Sequence, residues 1–237
     1  MDAAEQKRAA AAAAVEWLQP RLRRDQVVGI GTGSTADHFI DLLAPHRARF
    51  AGAVASSSRS AERLSRLGVQ VFDLNDVDEL PVYVDGADEI NRHLEMIKGG
   101  GGALTREKIV AAAAAVFVCI ADASKLVAAL GKFSLPVEVI PMARAQVMRA
   151  IVDLSRRGSL GEPTIVLRTT PDGSPYVTDN GNWIVDVGGW TLDDPRRIEP
   201  QLGGIVGVVE SGLFALRGAD LLLLAGPDAV QSVTRGV

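Results

Sequence analysis

The strongest constraint on this chain is a rhythm: through its first half, short apolar runs alternate with stretches of helical pattern. Residues 26–30 read as a strand and 34–43 as a helix. Residues 51–56 are strand-like, and 60–67 read as a helix closed by Gly68. Two further strands are expected at 69–72 and 81–84, then a helix over 105–115 and a strand over 116–120. Strand here alternates with helix. It predicts a parallel sheet with helices on both faces.

The rhythm changes near Leu130, where 131–136 look like a connector. Beyond it come an apolar run at 137–140, a helix from about 144 to 156, strands at 163–168 and 183–187, and a turn at Pro171-Asp172-Gly173. Four successive leucines, Leu221 to Leu224, read as a strand rejoining the first sheet. The expected fold is therefore α/β: a Rossmann-like parallel sheet flanked by helices, with a smaller α+β, ferredoxin-like subdomain. The expected division is 1–130 plus 205–237 for the larger, catalytic domain and 131–204 for the smaller. At 237 residues the chain is long enough to remove roughly 70% of its unfolded surface from water.

Charge and cysteine usage exclude several classes. A net charge of −4 leaves no basic footprint for nucleic acid and no polybasic segment for anionic lipid. The one cysteine, Cys119, lies in an apolar run. No internal disulfide is possible, and a reducing, cytoplasmic setting is expected. Asp2 and Glu5 occupy the place where a secretion signal would be basic, and the alanines that follow read as a helix with Pro20 just past its end. The longest apolar run, 109–121, is too short to span a bilayer.

Three motifs carry chemistry. In the first, Gly29-Ile30-Gly31-Thr32-Gly33-Ser34-Thr35, a glycine-rich turn runs from strand to helix. Converging backbone N–H groups and the helix N-terminus suit a phosphate, with Thr32, Gly33, Ser34 and Thr35 as donors. A dinucleotide fingerprint also fits the spacing. It wants an acid at the end of the next strand, and that strand ends Ala55-Ser56-Ser57-Ser58. A tight turn with no ligand is the plainest alternative.

The second motif, Asp85-Gly86-Ala87-Asp88-Glu89, follows an apolar strand, where ligands of open α/β sheets bind. Its carboxylates suit sugar hydroxyls, base chemistry or simple solvation. His93, the nearest histidine, lacks ligand spacing, so no metal is expected. The third motif joins Lys98 to Gly99, Gly100, Gly101 and Gly102, then Thr105-Arg106-Glu107-Lys108. Four glycines cost backbone entropy on ordering, which points to close approach of a ligand or to a loop that closes. Lys98 suits an oxyanion. Thr105 reads as a helix N-cap, placing Glu107 in the first turn, where the dipole favours its carboxylate. Lys125 follows another strand end and suits an anion or solvent equally. The segment 178–182 reads as a structural turn.

In this order the motifs resemble type A ribose-5-phosphate isomerase, over 29–39, 84–91, 96–110, 120–136, 178–187, 207–214 and 217–220. The resemblance implies interconversion of ribose 5-phosphate and ribulose 5-phosphate through an enediol(ate), within the non-oxidative pentose phosphate pathway and without cofactor or metal. It assigns Glu107 as the proton-shuttling base and Lys98 with Gly99, Gly100 and Gly101 to substrate and the enediolate. It gives Asp85, Gly86, Ala87 and Asp88 to the opened sugar, Thr32, Gly33, Ser34 and Thr35 to the phosphate-directed end, and Lys125 to a further contact. A homodimer or homotetramer is implied, with neither nucleic acid nor membrane as partner. Two departures, Gly102 in place of a frequent alanine and Ile205-Val206-Gly207 without a proline, touch no proposed chemical group. A sugar-phosphate sensor is the competing class, but it has no use for Lys98 and Glu107 together.

Overall fold

The structure, a computed structural model, describes residues 1–235. Gly236 and Val237, the end of the expected range 205–237, lie outside the described residues. In chain order the elements are α1 (Ala3–Leu18), β1 (Val27–Ile30), α2 (Ser34–Leu43), β2 (Gly52–Ala55), α3 (Ser58–Arg66), β3 (Leu80–Asp85), β4 (Glu89–Ile90), β5 (Met96–Ile97), α4 (Leu104–Ala113), β6 (Ala114–Asp122), β7 (Leu135–Val139), α5 (Arg144–Gly158), β8 (Thr164–Leu167), β9 (Trp183–Gly188), α6 (Pro195–Gly203), β10 (Val208–Ser211), β11 (Leu213–Phe214), β12 (Leu221–Ala225) and β13 (Val230–Thr234). They group into two compact units.

The larger unit comprises Met1–Ala87, Arg106–Leu126 and the segment from Arg217 onward. Its sheet has the order β13-β12-β6-β3-β1-β2, parallel except for the antiparallel edge strand β13. The chain steps outward from β1 to β2 and then crosses back to β3 on the other side of β1. That reversal makes a crevice beyond the carboxyl ends of β1 and β3, the place where open α/β sheets bind ligands. The strands there are buried along their length, which explains their unbroken apolar runs.

Helix α1 is capped by Asp2, which accepts N–H bonds from Ala4 and Glu5 while Glu5 closes the capping box. Its alanines Ala10, Ala11 and Ala14 are fully buried in the same core as Ile30, Phe39 and Ile120, because only small side chains let the helix lie close. Gly29 does the same on β1: a Cβ there would stand 3.0 Å from both Tyr83 and Val110 of α4.

The smaller unit comprises Asp88–Thr105 and Val127–Leu216. Its elements β7, α5, β8, β9, α6 and β10 follow the β-α-β-β-α-β order, with an antiparallel sheet ordered β10-β7-β9-β8. Val137, Val139, Val147, Ile151 and Val185 fill its core. A second, three-stranded sheet joins β11, β5 and β4.

Some local expectations shift. Residues 88–105, 127–130 and 205–216, placed in the larger domain from sequence, group with the smaller unit. The pairings responsible are two-residue strands and a carboxylate: Glu89 accepts the N–H groups of Gly131 at 2.8 Å and Phe133 at 2.6 Å. Residues 69–72 form one bridge, Val71 to Ala53, instead of a strand. Asp73 turns the chain at once, accepting the N–H of Asn75 at 2.8 Å. Helix α4 starts at Leu104, so Thr105 is not its N-cap.

Candidate active site

Within the larger unit the turns after β1 and β3 meet. Asp85, fully buried at the end of β3, accepts the N–H of Thr32 at 3.0 Å and of Gly86 at 2.7 Å on Oδ1, and the hydroxyl of Tyr83 on Oδ2. Gly31 makes the approach possible, because a Cβ there would fall inside the Asp85 carboxyl group. Tyr83 lies two residues before Asp85, so both side chains point to one face of β3. Burial, then the charges of Asp85 and Glu107, push the Tyr83 phenol well above its ordinary value. Glu107 on α4 is therefore within electrostatic reach of the same phenol, and it is itself only 4% exposed.

Helix α2 takes Gly33 as its N-cap, with φ 112°, and no side chain caps its first turn. The Thr32 hydroxyl donates to Ser57 at 2.8 Å, Ser57 to Ser60 at 3.1 Å, and Ser60 to the Gly31 carbonyl at 2.8 Å. A buried hydroxyl chain thus fixes the turn from behind. Thr35 faces Gly86, and the exposed Ser34 accepts from Lys7 Nζ at 3.1 Å. On the same helical turn of α1, Gln6 accepts the N–H of Ala123 at 3.3 Å. Asp122 caps the short turn that follows, which carries the half-buried Lys125. So α1 ties the turns after β1 and β6 to one another.

Within the smaller unit, Lys98 follows β5 and is 2% exposed, with Nζ 5.6 Å from the centroid of the Phe214 ring and its N–H donating to the Gly212 carbonyl at 2.8 Å. The glycine loop comes next. Gly100 N–H donates to Asp88 Oδ2 at 2.7 Å, so Asp88 and the loop form one piece. Arg168 donates to the carbonyls of Gly99 and Gly100, and Tyr176 to that of Gly101. The Thr105 hydroxyl, expected to cap α4, instead donates to Glu138, a fully buried carboxylate that also accepts from Thr178 at 2.9 Å and Asn182 at 2.9 Å. The turn 178–182 is accordingly a structural clamp. Among the described residues no group of three or more His, Cys, Asp or Glu could hold a metal ion.

The structure gathers Thr32, Thr35, Asp85 and Gly86 in the larger unit, and Asp88, Lys98, Gly99, Gly100 and Gly101 in the smaller. Sequence reasoning missed Lys7, Tyr83 and Arg168. Tyr83 carried a signal, the two-residue strand period before Asp85. Lys7 and Arg168 carried none, since their partners lie far along the chain.

The family model for ribose 5-phosphate isomerase A (phosphoriboisomerase A) matches residues 52–229. The chain belongs to this family. Solved members of known structure match it from end to end. The ribose 5-phosphate isomerase A of Neisseria gonorrhoeae is 43% identical, covering 99% of this chain and 98% of that one with a TM-score of 0.88. A D-ribose-5-phosphate isomerase in complex with phospho-erythronic acid is 35% identical, covering 99% and 100% with a TM-score of 0.87. The enzyme of Methanocaldococcus jannaschii is also 35% identical, covering 97% and 98% with a TM-score of 0.85. The ribose 5-phosphate isomerase A family is one of aldose–ketose isomerases, and it gives a sensor without turnover no support. Among the described residues no helix is long and apolar enough to cross a membrane.

Proposed function

We propose that this chain interconverts D-ribose 5-phosphate and D-ribulose 5-phosphate, with Glu107 of the larger unit as its base. Family membership over most of the chain carries this reading. The Glu107 carboxylate takes the proton from C2 of the open-chain aldose; the C–H electrons form the C1=C2 bond and the carbonyl electrons move to O1. The enediolate then exchanges its hydroxyl proton between O2 and O1. Glu107 returns its proton to C1, and the C2 carbonyl of the ketose forms. One base on one face suffices. Lys98 supplies positive charge to the enediolate oxygen.

Thr32, Gly33, Ser34 and Thr35 hold the phosphate at the uncapped start of α2. Lys7, bonded to Ser34, adds a cation there, and Lys125 is a further contact. Asp85 and Asp88, with Gly86, Ala87, Gly99, Gly100 and Gly101, hold the sugar hydroxyls. Asp85 is held by the N–H groups of Thr32 and Gly86 and the hydroxyl of Tyr83. Binding of the non-reacting phosphate can be used to orient the carbon centre. The relative bound to phospho-erythronic acid favours the same handle, since that compound is a phosphorylated four-carbon sugar acid. A homodimer or homotetramer, a cytoplasmic setting suited to the single buried thiol, and a place in the non-oxidative pentose phosphate pathway complete the proposal.

The test is ribulose 5-phosphate formation from ribose 5-phosphate by purified protein in chelator, with Glu107→Gln beside it. Turnover by the wild type alone is expected. Equal turnover by both would remove Glu107 from the mechanism, and turnover by neither would remove the isomerase reading.

A further inference from the structure

Four glycines in succession lose more conformational freedom on ordering than any other residues, and nothing in their own sequence orders them. Yet within the smaller unit each part of the loop is tied. Arg168 Nη1 donates to the carbonyl of Gly99 at 2.8 Å and of Gly100 at 3.2 Å. Tyr176 donates its hydroxyl to the carbonyl of Gly101 at 3.2 Å. Gly100 N–H reaches Asp88 at 2.7 Å, and Gly102 N–H closes the turn on the Gly99 carbonyl at 2.9 Å.

The ties are themselves fixed. The Nε and Nη2 atoms of Arg168 hold the two oxygens of Asp186, on β9, at 2.9 and 2.5 Å. Its backbone N–H bonds the Ile184 carbonyl, and its own carbonyl accepts from Tyr176. One planar guanidinium thus serves a carboxylate along one edge and two carbonyls from the remaining nitrogen, which an ammonium cannot do. The glycines match the clamp. Gly99 and Gly102 have φ of 104° and 81°, a conformation side chains rarely adopt. A Cβ on Gly100 would stand 2.6 Å from Asp88 Oδ1, and one on Gly102 2.6 Å from the Tyr176 ring.

We propose that Arg168 and Tyr176 are positioning residues that hold the glycine loop in its binding shape before substrate arrives. This rests on the reading of Asp88, Gly99, Gly100 and Gly101 as substrate-binding. A loop ordered only by substrate would charge its lost freedom against affinity, whereas a loop ordered by Arg168 has lost that freedom on folding. The glycines are on this account a fit to the clamp and not the hinge of a closing lid.

The experiment combines hydrogen exchange over residues 98–104 of the substrate-free protein with KM and kcat for ribose 5-phosphate, in wild type, Arg168→Met, Arg168→Lys and Tyr176→Phe. In Arg168→Met, exchange at the Gly100 and Gly102 amides should accelerate about tenfold or more, and KM should rise roughly ten- to hundredfold with kcat within about threefold. Arg168→Lys should fall between, and Tyr176→Phe should move both readouts the same way by a few-fold. Unchanged exchange, a lowered melting temperature with unchanged KM, or a fall in kcat with unchanged KM would each overturn the proposal. If Arg168→Met does not fold, Tyr176→Phe decides by the same criteria. If the wild type does not turn over ribose 5-phosphate, the isomerase reading fails, and the exchange readout still decides the clamp.

Discussion

Replacing Gly31 by alanine is the sharpest test of how the two turns at the head of β1 and β3 are joined. Gly31 does not have the positive φ that would strain an alanine, so the perturbation is one methyl group. That methyl would overlap the Asp85 carboxyl group, and no real Cβ contact comes under 3.0 Å, so Asp85 must retreat by more than 1 Å. It has nowhere to go without loss. Its Oδ1 is held by two N–H groups and its Oδ2 by Tyr83. Tyr83 is itself fully buried, with its ring centroid 4.9 Å from that of Phe117.

A hydrogen bond to a charged group contributes about 1.5–3 kcal/mol, and forced overpacking costs about 1–3 kcal/mol. Losing one such bond together with the collision gives roughly 2.5–6 kcal/mol. At about 2–4 °C per kcal/mol for a chain of this size, the melting temperature should fall by roughly 5–24 °C. Misplacement of a substrate-holding group by an ångström also costs about a hundredfold in rate. Circular-dichroism melting and kcat/KM for ribose 5-phosphate measure the two effects. Gly33→Ala is the control for melting alone, since a Cβ there meets nothing within 4 Å and its loss of stability is backbone strain, about 1–3 kcal/mol. A Gly31→Ala protein that melts within 2 °C of wild type, to within about threefold in kcat/KM, would mean that Asp85 relocates freely and that the join is not an anchor.

Glu107→Gln keeps the shape of the proposed base and removes its basicity, so turnover should fall by at least about 10²–10⁴-fold while substrate binding stays within about tenfold. Weakened binding with turnover of the bound substrate intact would contradict that role. Tyr83→Phe tests the phenol. Its folded value is raised above the ordinary 10.0, so its contribution is complete below that pH and is lost as pH climbs toward the folded value. The unfolding free energy of the wild type should therefore decline more steeply than that of Tyr83→Phe above about pH 10; parallel declines would refute it. Lys7→Met should raise KM by about tenfold with kcat within about threefold and flatten the dependence of KM on salt. An unchanged salt dependence would place Lys7 outside the phosphate site.

What the sequence disclosed, and what it withheld, divides along the reach of each interaction. The glycine turn after β1 is legible because turn and helix start share the same few residues, and the acidic turn after β3 because it ends an apolar strand. Helix α2 keeps its expected bounds for that reason, and Leu221 to Leu224 rejoin the first sheet as their apolar run predicts. The errors arise where a local pattern competes with a distant partner. Thr105 has the chemistry of an N-cap, but its hydroxyl is taken by Glu138, 33 residues away. Residues 69–72 are apolar enough for a strand but are cut short by the Asp73 turn. Strands β4, β5 and β11 are two residues each, below the length at which alternation can register. Arg168 is the extreme case, since its partners in the glycine loop lie 68 and 69 residues before it. The glycines themselves announced a special backbone but not its cause: a flexible lid and a loop pinned by an arginine write the same four letters. Only the tertiary partner distinguishes them, which is why the support of a site stays hidden in a sequence whose proposed reacting groups are in plain view.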